Sequence, residues 1–443
     1  MGRTKIAMVS FKVVTPRSGR AYIAGFLGLG LLSLGVLPLG QSAWPQRDYK
    51  YAFSASLERQ SERTLEQSIS FYQGRIQQNP TDGLDQAALA NLYIQMARAT
   101  RLESWYLLAE KSAQQSLANL PYSNDGAVLA LAQIAEAQHD FTTAIQLAES
   151  IANPDALGLV VTAKLALGEV EAAVDLADAL VEQYPSLGSL TLRGLAYTAQ
   201  GKDDQALADF QRAIAAEEPG NPAGSAQTRV FLGRFFAQRG DHDIAQVLYR
   251  EALHIAPGYP LAHLQLAELA TVQAQYRSAR YHYREVGGPT ALHGLARIQA
   301  LQGRAASDAW AAAETELRRN VEGNSLGHRR DLAHLLLERG APDDVQEALA
   351  LMKTEAAQRR DAKTLDLLAW ALVEAGQLPA AQQAIGEALE QGVRNAGIAY
   401  RAGEIKAALN QPEQAEQYFR LANEIDPTFT PQTRQRLGLT TQD

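Results

Sequence analysis

The stretch QTRVFLGRFFAQRGDHDIAQVLYREALHIAP, from Gln227 to Pro257, decides the fold. Small and aromatic residues fall in it at fixed offsets: Leu232, Gly233, Phe236, Gly240, Ala245, Tyr249, Ala252 and Pro257. Leu232, Gly233 and Phe236 share one helical stripe, Gly240 opens a turn, and Ala245, Tyr249 and Ala252 recur on a second stripe. The spacing predicts two helices joined by a tight turn. Gly233 and Ala245 lack the bulk that would hold two backbones apart, so the helices can pack antiparallel, with Phe236 and Tyr249 filling the space beside them.

The pattern recurs along the chain. Ala245 is followed one period later by Ala279 and Ala381 by Ala415, with Ala109, Ala144, Ala173, Ala206 and Ala348 in the corresponding place elsewhere. Prolines close units at Pro121, Pro185, Pro219, Pro257 and Pro427. From these anchors units begin near Gly83, Asp125, Pro154, Leu187, Ala226, Pro260, Pro289, Leu326, Ala362 and Ala396. The unit resembles the tetratricopeptide (TPR) repeat, whose period is about 34 residues. Four places depart from it: extra residues around Arg101 to Tyr106, a short unit from Asp125, Asp308 where the second-helix Ala is expected, and a longer turn at Ala341 to Val345. The resemblance implies an all-α, right-handed superhelical solenoid of antiparallel helix pairs, about ten units long, each contacting only its neighbours.

Composition agrees with helix nearly everywhere, being rich in Ala, Leu, Gln, Glu and Arg with few β-branched runs. The net charge of −8, with both signs interspersed, argues against a general nucleic-acid binder. No cysteine is present, which removes disulfides, thiolate metal sites and cysteine nucleophiles.

Residues 1–20 hold Arg3, Lys5, Lys12, Arg17 and Arg20 with no acidic residue, and residues 21–40 hold no charge. About 20 apolar residues suffice to span a membrane as a helix. The basic flank then puts residues 1–20 in the cytoplasm and the repeat array outside it, as a single-pass membrane protein. The rival reading is a cleaved signal segment releasing a secreted or periplasmic chain, with Gln41-Ser42-Ala43 as the site. Residues 41–56, with Trp44, Tyr49, Tyr51 and Phe53, read as an interfacial linker, 57–82 as a lead-in capping helix, 83–429 as the repeat array and 430–443 as a C-terminal tail. The most open joint of the array is expected between Ala215 and Ser225.

Neither a phosphate loop, nor a nucleophile elbow, nor a zinc-protease motif is present, so no catalytic, cofactor or metal site can be assembled and the chain reads as a non-enzyme without cofactors. Asp241-His242-Asp243 sits just after a turn glycine, where acidic residues suit the positive end of the second helix. His328 and His334 are not at the spacing that brings two ligands together.

What the resemblance implies is a binding surface: the first helix of each unit lines the inside of the superhelix and presents set positions to a protein or peptide partner. In the N-terminal half these positions carry Leu129, Ala130, Gly158, Leu159, Thr191 and Leu192. In the C-terminal half they carry Arg234, Arg297, Arg330, His334, Lys363, Trp370, Tyr400 and Arg401, together with His293, Asp366 and Glu404. Guanidinium and aromatic groups in that pattern suit carboxylates and apolar side chains. Trp370 in particular is expected to expose its ring in the groove. The family's carboxylate clamp is not matched, since Ala87 and Ala130 stand where it needs polar residues. The expected function is a membrane-held scaffold for a protein or peptide partner. The alternative is an accessory or regulatory subunit of an envelope enzyme or of a polysaccharide or secretion complex.

Overall fold

In the computed structural model Gly233 lies against the ring of Tyr249, where a Cβ would overlap the aromatic carbons. The same pairing recurs one unit earlier and near the end of the array, between Gly194 and Phe210 and between Gly403 and Phe419. Each glycine lets the ring of the second helix reach the backbone of the first, the close approach the spacing requires. On the second helix the small residue comes at the fourth position. Ala144, Ala173, Ala206, Ala245, Ala279, Ala381 and Ala415 are all buried. Three units differ: in α3 and α17 the buried alanines, Ala109 and Ala348, come later in the helix, and in the unit containing Asp308 Trp310 takes the fourth position and packs beside His293, with ring centroids 5.4 Å apart.

The structure describes residues 57–100, 104–218, 220–322 and 329–440. Helix α1 (Leu57–Gln78) leads in, and its Leu65, Ile69, Tyr72 and Ile76 pack on the first pair. The pairs follow as α2 (Gly83–Thr100) with α3 (Ser104–Asn119), α4 (Asp125–Ala137) with α5 (Phe141–Glu149), and α6 (Pro154–Ala166) with α7 (Val170–Gln183). Next come α8 (Leu187–Ala199) with α9 (Asp203–Ala215), α10 (Pro222–Ala237) with α11 (His242–Ile255), and α12 (Pro260–Val272) with α13 (Tyr276–Val286). The last four are α14 (Gly288–Leu301) with α15 (Ser307–Glu322), α16 (Arg329–Arg339) with α17 (Pro342–Gln358), α18 (Ala362–Glu374) with α19 (Leu378–Glu390), and α20 (Ala396–Ala408) with α21 (Pro412–Ile425). A short α22 (Pro431–Arg436) ends the series. The described chain is thus an all-α solenoid of sequential antiparallel pairs.

Each helix packs chiefly on its pair mate and on the next helix in sequence, while successive even-numbered helices also touch one another. The even layer is therefore the concave one. Its helices start on side-chain caps in many units: Asn124, Asn153, Ser186, Asn221, Asp361 and Asn395 each accept a backbone N–H of the first turn. Capping also accounts for a boundary the spacing misplaces. The expected unit start at Ala226 falls inside α10, because Asn221 caps and Pro222 fills the first helical position, drawing part of the insertion into helix. Nor is that joint loose: Arg229, buried in α10, takes Glu217 at 2.8 Å and Glu251 at 3.1 Å.

The superhelix coils tightly enough for one turn to meet the next. His139 and Glu355, 216 residues apart, hydrogen bond at 3.0 Å, and the amides of Arg360 and Asp361 both donate to the carbonyl of Ala166. At about 34 residues per unit this closes a turn in roughly six repeats. The seam depends on one glycine after the inner helix α8 and one after the outer helix α19. Gly201 and Gly392 both have positive φ and touch backbone to backbone, where a Cβ on Gly392 would stand 2.6 Å from the carbonyl of Gln200.

The segments read as a basic tail, a membrane span and a linker, residues 1–20, 21–40 and 41–56, lie outside the described residues, as does the expected unit start at Leu326. Among the described residues no helix is long and apolar enough to cross a membrane.

Candidate functional site

The concave layer is stitched by polar contacts from one even helix to the next. Asn91 of α2 donates to the carbonyl of Gly126 on α4, Thr162 of α6 to Glu136 on α4, and Thr191 of α8 meets Thr228 of α10 at 2.8 Å. In the C-terminal half charged groups make the same stitches. Arg297 of α14 grips Glu338 of α16 with two hydrogen bonds of 2.7 Å, and His293 adds a third at 2.8 Å. Arg330 of α16 donates to Thr364 of α18 at 3.2 Å, and Arg401 of α20 to Asp366 of α18 at 2.8 Å.

These contacts set where each expected binding residue stands. Arg297, Arg401 and Glu338 are buried. Burial alone would raise the Glu338 carboxyl, but the facing Arg297 and His293 outweigh it and hold it well below the usual range. Arg330 is pulled down by burial and then by repulsion from Arg359. His334, pulled down to about 3 by burial and by Arg297 and His293, donates its Nε2 proton to the carbonyl of Gly438 at 2.8 Å. The half-buried Tyr400 packs among Phe419, Phe429 and Arg434, whose guanidinium lies 3.7 Å from the ring centroid.

Trp370 corrects the reading of an exposed ring. It is only 2% exposed, donates Nε1–H to Glu374 at 2.9 Å and carries Arg401 over its face at 4.8 Å. Trp370 lies between His334 of α16 and Arg401 of α20. Its ring is covered because the next inner helix, α20, lays Arg401 across it.

Two of the set remain uncommitted. Arg234 of α10 and Lys363 of α18 make no ion pair or side-chain hydrogen bond among the described residues, and Lys363 is open to solvent inside the turn of the superhelix. Repulsion from Arg234, and then partial loss of water among the surrounding helices, pull the Lys363 ammonium below its ordinary value, with Glu268 and Asp361 opposing.

Of the residues expected to trail off as a tail at 430–443, those described, 430–440, stay against the array. Helix α22 packs on α12 and α14, Arg436 donates to the carbonyl of Val272 at 2.9 Å, and Gly438 sits on the Arg297–Glu338 pair. Neither Glu338 nor this segment was evident as part of the groove. Glu338 had a signal available: stitched partners lie about one repeat apart, at 34 residues for Arg330 with Thr364, 35 for Asp366 with Arg401 and 41 for Arg297 with Glu338. An acid one repeat from an inward arginine is its structural mate before it is anything else. The segment had no such signal, since its place depends on how the superhelix coils.

A tetratricopeptide-repeat family model matches residues 161–222, 191–260 and 367–428. Those stretches match tetratricopeptide repeats. The matched stretches include the glycine–aromatic pairs Gly194 with Phe210, Gly233 with Tyr249 and Gly403 with Phe419. No curated protein matches the chain. Among solved structures, a thermophilic TPR protein of Thermus thermophilus matches with 21% identity and a TM-score of 0.34, over 43% of this chain and 95% of that one. Proteins built on such repeats are in general scaffolds for protein-protein interaction, and no catalytic domain is detected.

Proposed function

We propose that this chain is a non-enzymatic scaffold that holds a protein or peptide partner in the concave groove of its repeats, with residues 21–40 tethering the array to a membrane on its extracytoplasmic side. The observation that carries the groove reading is the pair Arg234 and Lys363. In a layer where Arg297, Arg330 and Arg401 all have acceptors, these two cations have none among the described residues, and they lie close enough to depress the lysine. Two like charges that Glu268 and Asp361 offset only in part, and that no acceptor among the described residues hydrogen bonds, leave a positive site that an acidic side chain of a partner can neutralise. The groove is formed before binding, so the ordering cost falls on the partner.

The test is capture of partners from a membrane fraction by the immobilised full chain and by the double variant Arg234→Glu, Lys363→Glu. We expect at least a tenfold loss of retained partner, and for the parent a loss of binding as salt rises, because screening weakens such contacts. Because neither side chain is hydrogen-bonded among the described residues, the variant should stay folded and melt cooperatively, which a thermal melt checks. Equal retention by parent and variant overturns the assignment of these residues.

A further inference from the structure

Residues 431–439 treat the inner wall as a bound peptide would. Thr430 caps α22 by accepting the amide of Thr433 at 3.2 Å, and the helix lies across α12 and α14. Three kinds of contact hold it. Arg436 donates to the carbonyl of Val272, and the carbonyl of Gly438 accepts from His334. Arg434 stacks on Tyr400, 3.7 Å from the ring centroid, with its Nε buried and without a hydrogen-bond partner. Gly438 adopts φ +65°, and a Cβ there would stand 2.5 Å from Glu338 Oε2 and 2.6 Å from Arg297 Nε. Only glycine fits: a side chain would meet the buried ion pair, and the left-handed backbone adds strain for any other residue.

The way the segment is held makes it replaceable. Of the side chains in α22 only Thr433 is buried, and Leu437 and Leu439 after it are half-buried, so the attachment rests mainly on hydrogen bonds and the stacking of Arg434. Such contacts contribute modestly each and reform readily with another chain that offers the same groups. Opening a small peripheral element of this kind costs far less than unfolding the array.

We propose that the wall formed by Arg297, His334, Glu338 and Tyr400 is a docking site for a partner segment of the chemistry it now holds, an arginine-bearing helical turn closed by a left-handed glycine, and that residues 431–439 occupy it until such a partner displaces them. The proposal rests on the groove being the partner-binding surface, and it assigns that surface a selectivity and a built-in competitor.

The probe is a labelled synthetic peptide spanning residues 428–443, titrated by fluorescence anisotropy. The proteins are the full chain and the full chain with Gly438→Val, in which the new side chain cannot enter beside Glu338. The Gly438→Val chain should bind the peptide at least tenfold more tightly than the parent, whose site is filled, and a peptide carrying Gly438→Val should bind neither. If the Gly438→Val chain does not fold, the pair Arg434→Ala, Arg436→Ala loosens the segment without touching the array and should show the same gain. A folded variant that fails to bind the peptide, or a parent that binds it equally well, overturns the proposal. So does a concentration-dependent dimer of the parent that Gly438→Val abolishes, which would make the occupant a second copy. Loss of peptide binding with partner capture still dependent on Arg234 and Lys363 would refute this site and leave the groove function standing.

Discussion

The two halves of the concave layer solve one problem with different chemistry. From α2 to α10 neighbouring inner helices are joined through an amide, hydroxyls and a carboxylate: Asn91 on a carbonyl, Thr162 on Glu136, Thr191 on Thr228. From α14 to α20 they are joined through guanidinium groups, and a tryptophan is sandwiched into the seam. The difference teaches that a charged inward residue is not by itself an offered one. Arg297, Arg330 and Arg401 have acceptors one repeat away, whereas Arg234 and Lys363 have none among the described residues, and only the complete set of contacts separates the two kinds.

The sharpest way to break this comparison is to remove one member of the C-terminal seam. Glu338→Ala leaves Arg297 buried without its acceptor, and breaking a buried pair from one side costs about 3–5 kcal/mol. Trp370→Ala empties a packed site and also costs about 3–5 kcal/mol. Denaturant unfolding of the full chain measures both. A Trp370→Ala chain as stable as the parent would mean that the ring is presented to a partner after all.

Acid offers a second, smaller contrast, because the histidines held low are in the C-terminal half. His334 is held down to about 3, and His282, beside His263 on α12, is pulled down to about 4 by burial and by its two neighbours. A histidine near 6.5 in the unfolded chain binds a proton there that the folded chain refuses. The unfolded state therefore holds more protons between pH 6.5 and about 4, and stability falls as pH drops through that window. Allowing for the partial exposure of His282, the loss from pH 7 to pH 5 is of order 1–3 kcal/mol. Below that, Glu338 and Glu355, both held low by their cationic or histidine partners against burial, add a further loss as they protonate. Unfolding by urea at pH 7, 6 and 5 reads the slope, and His282→Gln should flatten it. Hydrogen exchange at pH 5 should show α12 to α16 loosening before α4 to α10.

Much of the fold was legible because its determinants are local. Gly233 against Tyr249 and alanine at the fourth position of the second helix are spacing rules, and the starts at Gly83, Asp125, Pro154, Leu187, Pro260, Ala362 and Ala396 coincide with helix starts. Pro222 was missed because a capped insertion lengthens α10 at its start, a choice made by Asn221 and not by the repeat period. The inner positions were legible too, but not their occupancy. Whether Trp370 is open depends on Arg401 one repeat later, and whether the wall at Arg297 is open depends on Gly438, which reaches it from about four repeats further along the chain. Contacts of the second kind have no fixed sequence spacing. His139 with Glu355 and Arg436 with Val272, at separations of 216 and 164 residues, obey no single period.

The smallest expected effect tests the other side of the comparison. Thr191 and Thr228 are buried and touch through their hydroxyls, and each also reaches the carbonyl four residues before it, Leu187 at 2.7 Å and Gly224 at 2.9 Å. Thr228→Val keeps the shape and removes one hydroxyl, and Thr191 can still donate to Leu187. The cost should therefore be about 0.5–1.5 kcal/mol, the net worth of one hydrogen bond. Adding Thr191→Val removes the second polar group from the same dry contact, and replacing both partners with apolar groups of one shape is close to neutral. The double variant should thus recover most of what the single variant loses, a coupling read from the unfolding midpoints of the four chains. If the two losses instead add, the hydroxyl contact is not what joins α8 to α10, and the stitching of the N-terminal half rests on its small apolar residues alone.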